Sequence, residues 1–317
     1  MTAVFLDYST VSNGDLDTGG LTAVMPELVF HGATDARSIT ERLADANIVL
    51  LNKFMLTREH LAAAPRLRLI AVAATGTDNV DLVAARERGI AVCNVRGYCS
   101  ASVMQQVWAM VLGLTQHTSE YTRLATDGSW ALDEVGTGLR FPIRELSGRI
   151  FGVVGWGELG RATAATAHAF GMQVVIARRP GAPRESGRIE LDELLATADV
   201  VSLHCPLTPA TRGMIGVREL NLMKPDALLI NTARGGLIDS GALAAALRAG
   251  RLGGAGIDVL AQEPPVDGDA LLEPGIPNLI LTPHIAWAAR EARQRCLHEI
   301  AMNVQQFLAG GRRARVV

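Results

Sequence analysis

Short apolar runs rich in β-branched residues alternate with amphipathic stretches along almost the whole chain, and this alternation allows few architectures. It is the pattern of βαβ units stacked around parallel sheets, because each strand needs a crossover helix to return the chain to the same edge. Strands are expected at Ala3–Asp7, Leu28–His31, Ile48–Asn52, Leu67–Ala73 and Ile90–Asn94, with helical spacing at about Ala36–Ala46, Thr57–Ala63 and Asn79–Glu87. A second series opens at Arg149 and gives strands near Ile150–Val154, Gln173–Ile176, Val200–Leu203, Ala227–Asn231, Ala255–Val259 and Asn278–Leu281. Two series in 317 residues predict two α/β domains. Arg290–Leu308 reads as one terminal helix, which must pack on one of the two sheets.

Between the series lies Gly97–Ser119, a run without charge that is long enough to span a membrane. Its polar residues Ser100, Ser102, Gln105, Gln106, Gln116 and His117, and the helical spacing of Val103, Val107, Met110, Val111 and Leu114, identify a buried helix instead. Asp127–Leu146 has no clear period and is expected to be a long loop or lid. Thirty basic against 32 acidic residues leave no global field for nucleic acid or lipid. Arg312, Arg313 and Arg315 read as a solvated tail. No signal segment opens the sequence, so a cytoplasmic location is expected. Cys93, Cys99, Cys205 and Cys296 lack metal or disulfide spacing, and no metal site is expected.

Gly155, Gly157 and Gly160 stand in G-x-G-x-x-G order directly after an apolar strand and before a helical pattern. In that context the first glycine permits the turn, the second lets backbone N–H groups approach a pyrophosphate, and the third lets helix and strand pack closely. A dinucleotide cofactor is therefore expected. An enzyme that uses NAD normally carries an acid for the ribose 2′-hydroxyl about 20 residues further on. Here the strand ends Ala177-Arg178-Arg179-Pro180 and the next acid is Glu185. Guanidinium groups suit a 2′-phosphate, so NADP is expected over NAD, with NAD still possible.

In open α/β sheets ligands bind beyond the carboxyl ends of the strands. Three polar residues of the second series lie just there: Arg234, Glu263 and His284, spaced by 29 and 21 residues, one crossover each. Reduction of a 2-oxo acid needs a hydride at the carbonyl carbon, a proton at the oxygen and a cation for the carboxylate. An imidazole with an ordinary pKa of about 6.5 can move that proton. A carboxylate can orient the ring from its other nitrogen, and a guanidinium can hold the substrate. The other six histidines, His31, His60, His117, His168, His204 and His298, require only structural explanations.

The segments Val154-Gly-Trp-Gly-Glu-Leu-Gly, Ser202-Leu-His-Cys-Pro-Leu-Thr, Leu229-Ile-Asn-Thr-Ala-Arg-Gly-Gly, Asp258-Val-Leu-Ala-Gln-Glu-Pro and Thr282-Pro-His-Ile-Ala-Trp resemble, in order and spacing, those of the D-isomer-specific 2-hydroxyacid dehydrogenases. Asn52-Lys53, Ala74–Asp81 and His284–Ala288 are most similar to the glycerate dehydrogenase/hydroxypyruvate reductase branch. The resemblance implies catalytic roles for Arg234, Glu263 and His284. It implies cofactor contacts at Gly155, Trp156, Gly157, Glu158, Leu159, Gly160, Arg178, Arg179, Cys205, Pro206, Thr232, Ala233 and Asp258, the last near the nicotinamide side. It also implies substrate contacts at Thr75 and Gly76 through backbone N–H groups, and at Arg234; Lys53 is a further substrate-contact candidate for a separate reason, as one of only two lysines beside 28 arginines.

The implied fold is α/β: a Rossmann dinucleotide domain, residues 100–288, inserted into a flavodoxin-like substrate domain, residues 1–99 with 289–317. A hinge is implied near Gly97–Ser102 and Ile285–Arg290, and a homodimer through the helix after the first crossing and the loop that follows. The expected activity is NADPH-preferring reduction of hydroxypyruvate or glyoxylate. A different 2-oxo acid, or a dinucleotide-sensing dimer without catalysis, are the alternatives. Gln106 stands where many relatives carry histidine, a departure that touches the shape of the pocket.

Overall fold

The computed structural model describes residues 1–134, 136, 138–179, 181 and 186–317. Pro180 and Glu185 lie outside the described residues. The chain divides into two compact units, Met1–Cys99 with Trp287–Val317, and Ser100–Ala286.

In the first unit strands β1 (Ala3–Phe5), β2 (Leu28–Phe30), β3 (Ile48–Leu51), β4 (Leu69–Val72) and β5 (Ala91–Cys93) form a parallel sheet in the order β2-β1-β3-β4-β5. This is the doubly wound order of flavodoxin-like folds. Strands β3 and β4 are buried along their whole length, which is why they read as continuous apolar runs rather than alternating ones. Leu43, Leu61, Ala84 and Ala85 of the crossover helices close over one face. The terminal helix Arg290–Leu308 keeps its expected limits and packs on β4.

Two features of this unit differ from expectation. A helix at Gly19–Val24 was hidden by its two leading glycines, and it forms because the terminal helix supports it. Gln294 exchanges two hydrogen bonds of 2.9 Å with the backbone of Asp17 at its entrance. The C-terminal residues are not a solvated tail. Val316 N–H donates to Val92 O at 2.7 Å and Asn94 N–H donates to Ala314 O at 3.2 Å, while Arg313 pairs with Glu299 at 2.5 Å. Strand β5 is an edge whose backbone groups need partners, and the tail supplies them.

In the second unit β6 (Ile150–Val154), β7 (Gln173–Ala177), β8 (Arg188–Ile189), β9 (Val200–Leu203), β10 (Leu228–Asn231), β11 (Gly254–Ile257) and β12 (Leu279–Leu281) form a parallel sheet ordered β12-β11-β10-β9-β6-β7-β8. The order reverses between β6 and β9, the switch point at which such sheets bind ligands. Strand β8 escaped the sequence pattern because two residues carry no periodicity. The charge-free run is the helix Ser100–Gln116, with Val103, Val107, Trp108, Met110, Val111 and Leu114 buried. Gly113, Gly254 and Gly256 mark where this helix and the sheet approach closely: a Cβ on Gly256 would lie 2.8 Å from Met110 Cβ. Among the described residues no helix is long and apolar enough to cross a membrane.

Candidate active site

The glycine turn after β6 is shaped by steric demand at two positions and left open at the third. Gly155 has φ +106°, and a Cβ there would sit 2.6 Å from Cys205 N. A Cβ on Gly160 would sit 2.1 Å from Gly155 O. Both are required by packing. Gly157 has nothing within 4 Å of its Cβ position and precedes the 12-residue helix Glu158–Ala169, so open space lies at a helix N-terminus, where backbone N–H groups attract phosphate. Leu159 and Trp156 are partly buried on this turn, and Trp156 O accepts from Arg161 at 3.1 Å. The Glu158 carboxylate accepts from the Ser100 hydroxyl.

Across the switch point the β9 loop meets the turn: His204 N–H donates to Val154 O at 2.7 Å. Cys205 Sγ lies 3.7 Å from Met214 Sδ, and burial pushes its thiol up to about 11. Pro206 O accepts from Thr211 at 2.7 Å. Two buried polar atoms in this region lack partners among the described residues, His204 Nδ1 and Thr232 Oγ1. Buried polar groups are ordinarily satisfied. Orphans at the carboxyl ends of the neighbouring strands β9 and β10, beside the open glycine turn, fit a dinucleotide that would contact them.

The three residues expected to carry chemistry end three adjacent strands, β10, β11 and β12. His284 Nδ1 and Glu263 Oε2 are 2.5 Å apart. The other oxygen of Glu263 accepts from Leu260 N–H at 2.9 Å, so the carboxylate is held on both sides. The two side chains are 25% and 30% exposed, which leaves the pair accessible to a small molecule. Arg234 lies on a loop fixed by the fully buried Asn231, whose side chain bonds Arg234 O at 2.9 Å and Ala233 N–H at 3.0 Å. Arg234 Nη1 donates to Ala233 O at 2.8 Å. A Cβ on Gly235 would lie 1.9 Å from Leu260 C, so the guanidinium loop and the loop leading to Glu263 abut.

The backbone of His284 is in the left-handed region, φ +55°, which side chains with a Cβ adopt at a cost. Asp258 stabilises that turn. Its carboxylate accepts from Thr282 Oγ1 at 2.5 Å, Ile285 N–H at 2.9 Å and Ala286 N–H at 2.8 Å, and His284 N–H donates to Asp258 O at 2.7 Å. Asp258 was expected as a cofactor contact; the structure buries it completely and directs both its oxygens to the histidine turn. Gln106 Nε2 reaches Thr282 Oγ1 at 3.4 Å and so adjoins the same network. Neither Thr282 nor Gln106 was assigned this task from the sequence, since hydrogen-bond partners 176 residues apart leave no local signal.

At the end of β7, Arg178, expected at the cofactor ribose, donates from Nε and Nη2 to Glu190 Oε1 and Oε2 at 2.9 and 3.0 Å. Arg179 is exposed.

In the first unit, Asp7 is 4% exposed and accepts from the successive N–H groups of Asn52, Lys53 and Phe54 at 2.9, 2.6 and 2.8 Å. Asn79 bonds Asn52 O and Phe54 O from the other side. The loop bearing Lys53 is thus fixed at the carboxyl end of β3. The Thr75–Gly76 loop is tied to the end of β5, with Thr75 O accepting from Asn94 at 2.7 Å and Thr75 Oγ1 donating to Val95 O at 2.8 Å. Asp7 and Asn79 are the positioning residues that sequence reading missed.

Residues 108–286 match the family described as D-isomer specific 2-hydroxyacid dehydrogenase, NAD binding domain. The chain is 43% identical to a glycerate dehydrogenase of Methylorubrum extorquens over 86% of both proteins. It is 37% identical to a hydroxypyruvate reductase of Blautia hydrogenotrophica over 98% of both. A solved acyclic imino acid reductase in complex with NADPH and D-Arg superposes over all of both chains with a TM-score of 0.85 at 25% identity. The chain belongs to the D-isomer specific 2-hydroxyacid dehydrogenase family of nicotinamide-dependent oxidoreductases.

Proposed function

We propose that this chain reduces hydroxypyruvate, with glyoxylate as a second substrate, to the D-2-hydroxy acid, and prefers NADPH to NADH. The observation that carries the reading is the 2.5 Å contact between His284 Nδ1 and Glu263. It fixes the ring so that Nε2 is the nitrogen left for substrate.

When bound, a nicotinamide dinucleotide would supply the hydride needed at the carbonyl carbon. His284, as imidazolium, gives its Nε2 proton to the carbonyl oxygen and is left as the neutral ring, to be reprotonated from solvent. Glu263 orients the ring through Nδ1 and holds its tautomer after transfer. Arg234 binds the carboxylate and the oxygen on which negative charge develops. Thr75 and Gly76 offer backbone N–H groups to the substrate carboxylate, and Lys53 adds a cation on its fixed loop. Gly155, Gly157 and Gly160, with residues 205–206 and 232–233, would hold the dinucleotide, and Arg178 and Arg179 would serve its ribose end.

The protein acts as a homodimer through the segment after the charge-free helix. That segment exposes Trp130 (55%), Leu132 (83%), Leu139 (82%) and Ile143 (52%), apolar area that a second copy would cover.

Following NADPH oxidation on addition of hydroxypyruvate tests the activity, and absence of turnover with both hydroxypyruvate and glyoxylate overturns it. The variant His284→Ala should lose about 10²–10⁴-fold in kcat while cofactor binding, read by NADPH fluorescence, persists. A higher kcat/KM for NADH than for NADPH removes the cofactor preference and leaves the reaction standing.

A further inference from the structure

Glu190 stands 30 residues past Gly160, well outside the distance at which a ribose-binding acid is sought. The fold nevertheless delivers it to that place. Strand β8 pairs with the end of β7, Ile176 opposite Arg188 and Ala177 opposite Ile189, and Arg178 N–H donates to Ile189 O at 2.7 Å. The next residue, Glu190, turns its carboxylate onto Arg178. Both carboxylate oxygens are engaged, Oε1 lying 2.9 Å from Nε and 2.7 Å from Nη2, and Oε2 3.0 Å from Nη2. The carboxyl edge of β7, the strand after the glycine turn, is where such folds seat the cofactor ribose.

We infer that Glu190 is a specificity-determining residue for the dinucleotide: its carboxylate engages one edge of the Arg178 guanidinium and lowers the preference for a 2′-phosphorylated cofactor. The inference rests on the assignment of Arg178 to the ribose end made above. A guanidinium binds carboxylate and phosphate through the same forked donors. A 2′-phosphate must therefore compete with Glu190 for those donors. A ribose 2′-hydroxyl, being neutral, makes no such demand on the guanidinium. Arg178 is consequently poised for both cofactors rather than committed to the phosphorylated one. The effect is modest and sensitive to salt, because Glu190 is half exposed and charge pairs in contact with water are screened.

The experiment is the ratio of kcat/KM for NADPH to that for NADH in the full-length enzyme, its Glu190→Gln and Arg178→Ala variants, and the double variant. Glu190→Gln should raise the ratio by about 1.5-fold to fivefold, the range of a partly exposed charge pair. The helix that follows is not compromised, since the Glu190 side chain makes no capping bond. In the Arg178→Ala background the same change should leave the ratio where it was. An unchanged ratio in Glu190→Gln overturns the inference, as does a rise that persists without Arg178. The wild-type ratio decides the separate matter of overall NADPH preference: a wild-type enzyme that favours NADH but responds to Glu190→Gln would sink that preference and support the role of Glu190.

Discussion

The two ends of the seven-stranded sheet are built on opposite principles. At the β10–β12 end the loops are tied by buried groups, Asn231 and Asp258 with no exposed surface, and the histidine backbone is held in a costly conformation. At the β7–β8 end Arg178 and Glu190 form an ion pair with one partner half exposed, beside a strand two residues long. Proton transfer needs donor and acceptor fixed before the reaction, because reorganisation would add to the barrier. Cofactor discrimination needs only a difference between two affinities, and a water-exposed pair can supply a small one. The proposed function accordingly assigns chemistry to the rigid end and cofactor preference to the loose end.

Graded substitutions put this contrast at risk. The largest effect is expected from Glu263→Gln, which keeps the size of the side chain and removes the charge that faces His284 Nδ1. Its kcat should fall about 10²–10⁴-fold with KM for cofactor unchanged, measured by steady-state kinetics. Combined with His284→Ala it should cost little more than either change alone, since residues acting as one unit do not add. A fully additive pair would show that the two act separately.

Asp258→Asn should come next. The new amide places a donor against one of three donors now facing the carboxylate, so about 1–3 kcal/mol of unfolding free energy should be lost in urea titrations. A fall in kcat should accompany it, because the left-handed turn of His284 would lose its hydrogen bonds. An unaltered kcat would separate the buried network from catalysis. Arg179→Ala should be the mildest. Its side chain is exposed, so the NADPH-to-NADH ratio should fall by a few-fold at low salt, and the loss should shrink as salt is raised. A change as large as that of Glu263→Gln, or one indifferent to salt, would mean that the ribose end is as tightly constructed as the catalytic end.

Much of this was legible in the residues. Strands buried on both faces, such as β3, β4, β9 and β10, announce themselves as apolar runs, because burial demands the same chemistry at every position. Arg234, Glu263 and His284 could be singled out because each follows such a run at a crossover's distance. The helix Gly19–Val24 and strand β8 could not, since one depends on the terminal helix for support and the other on the edge of β7.

The order of residues alone determined that two parallel sheets would form, that a glycine turn would open the second, and that three ionisable groups would gather at its edge. These follow from local periodicity and from the handed, short crossovers that parallel strands require. Only the tertiary structure decided what those groups touch: that Asp258 serves the histidine turn, that Asp7 holds the Lys53 loop, and that Glu190 engages Arg178. Hydrogen bonds of this kind join residues distant in the chain, and their geometry is set by how the strands are ordered and packed, a property that no short window of sequence contains.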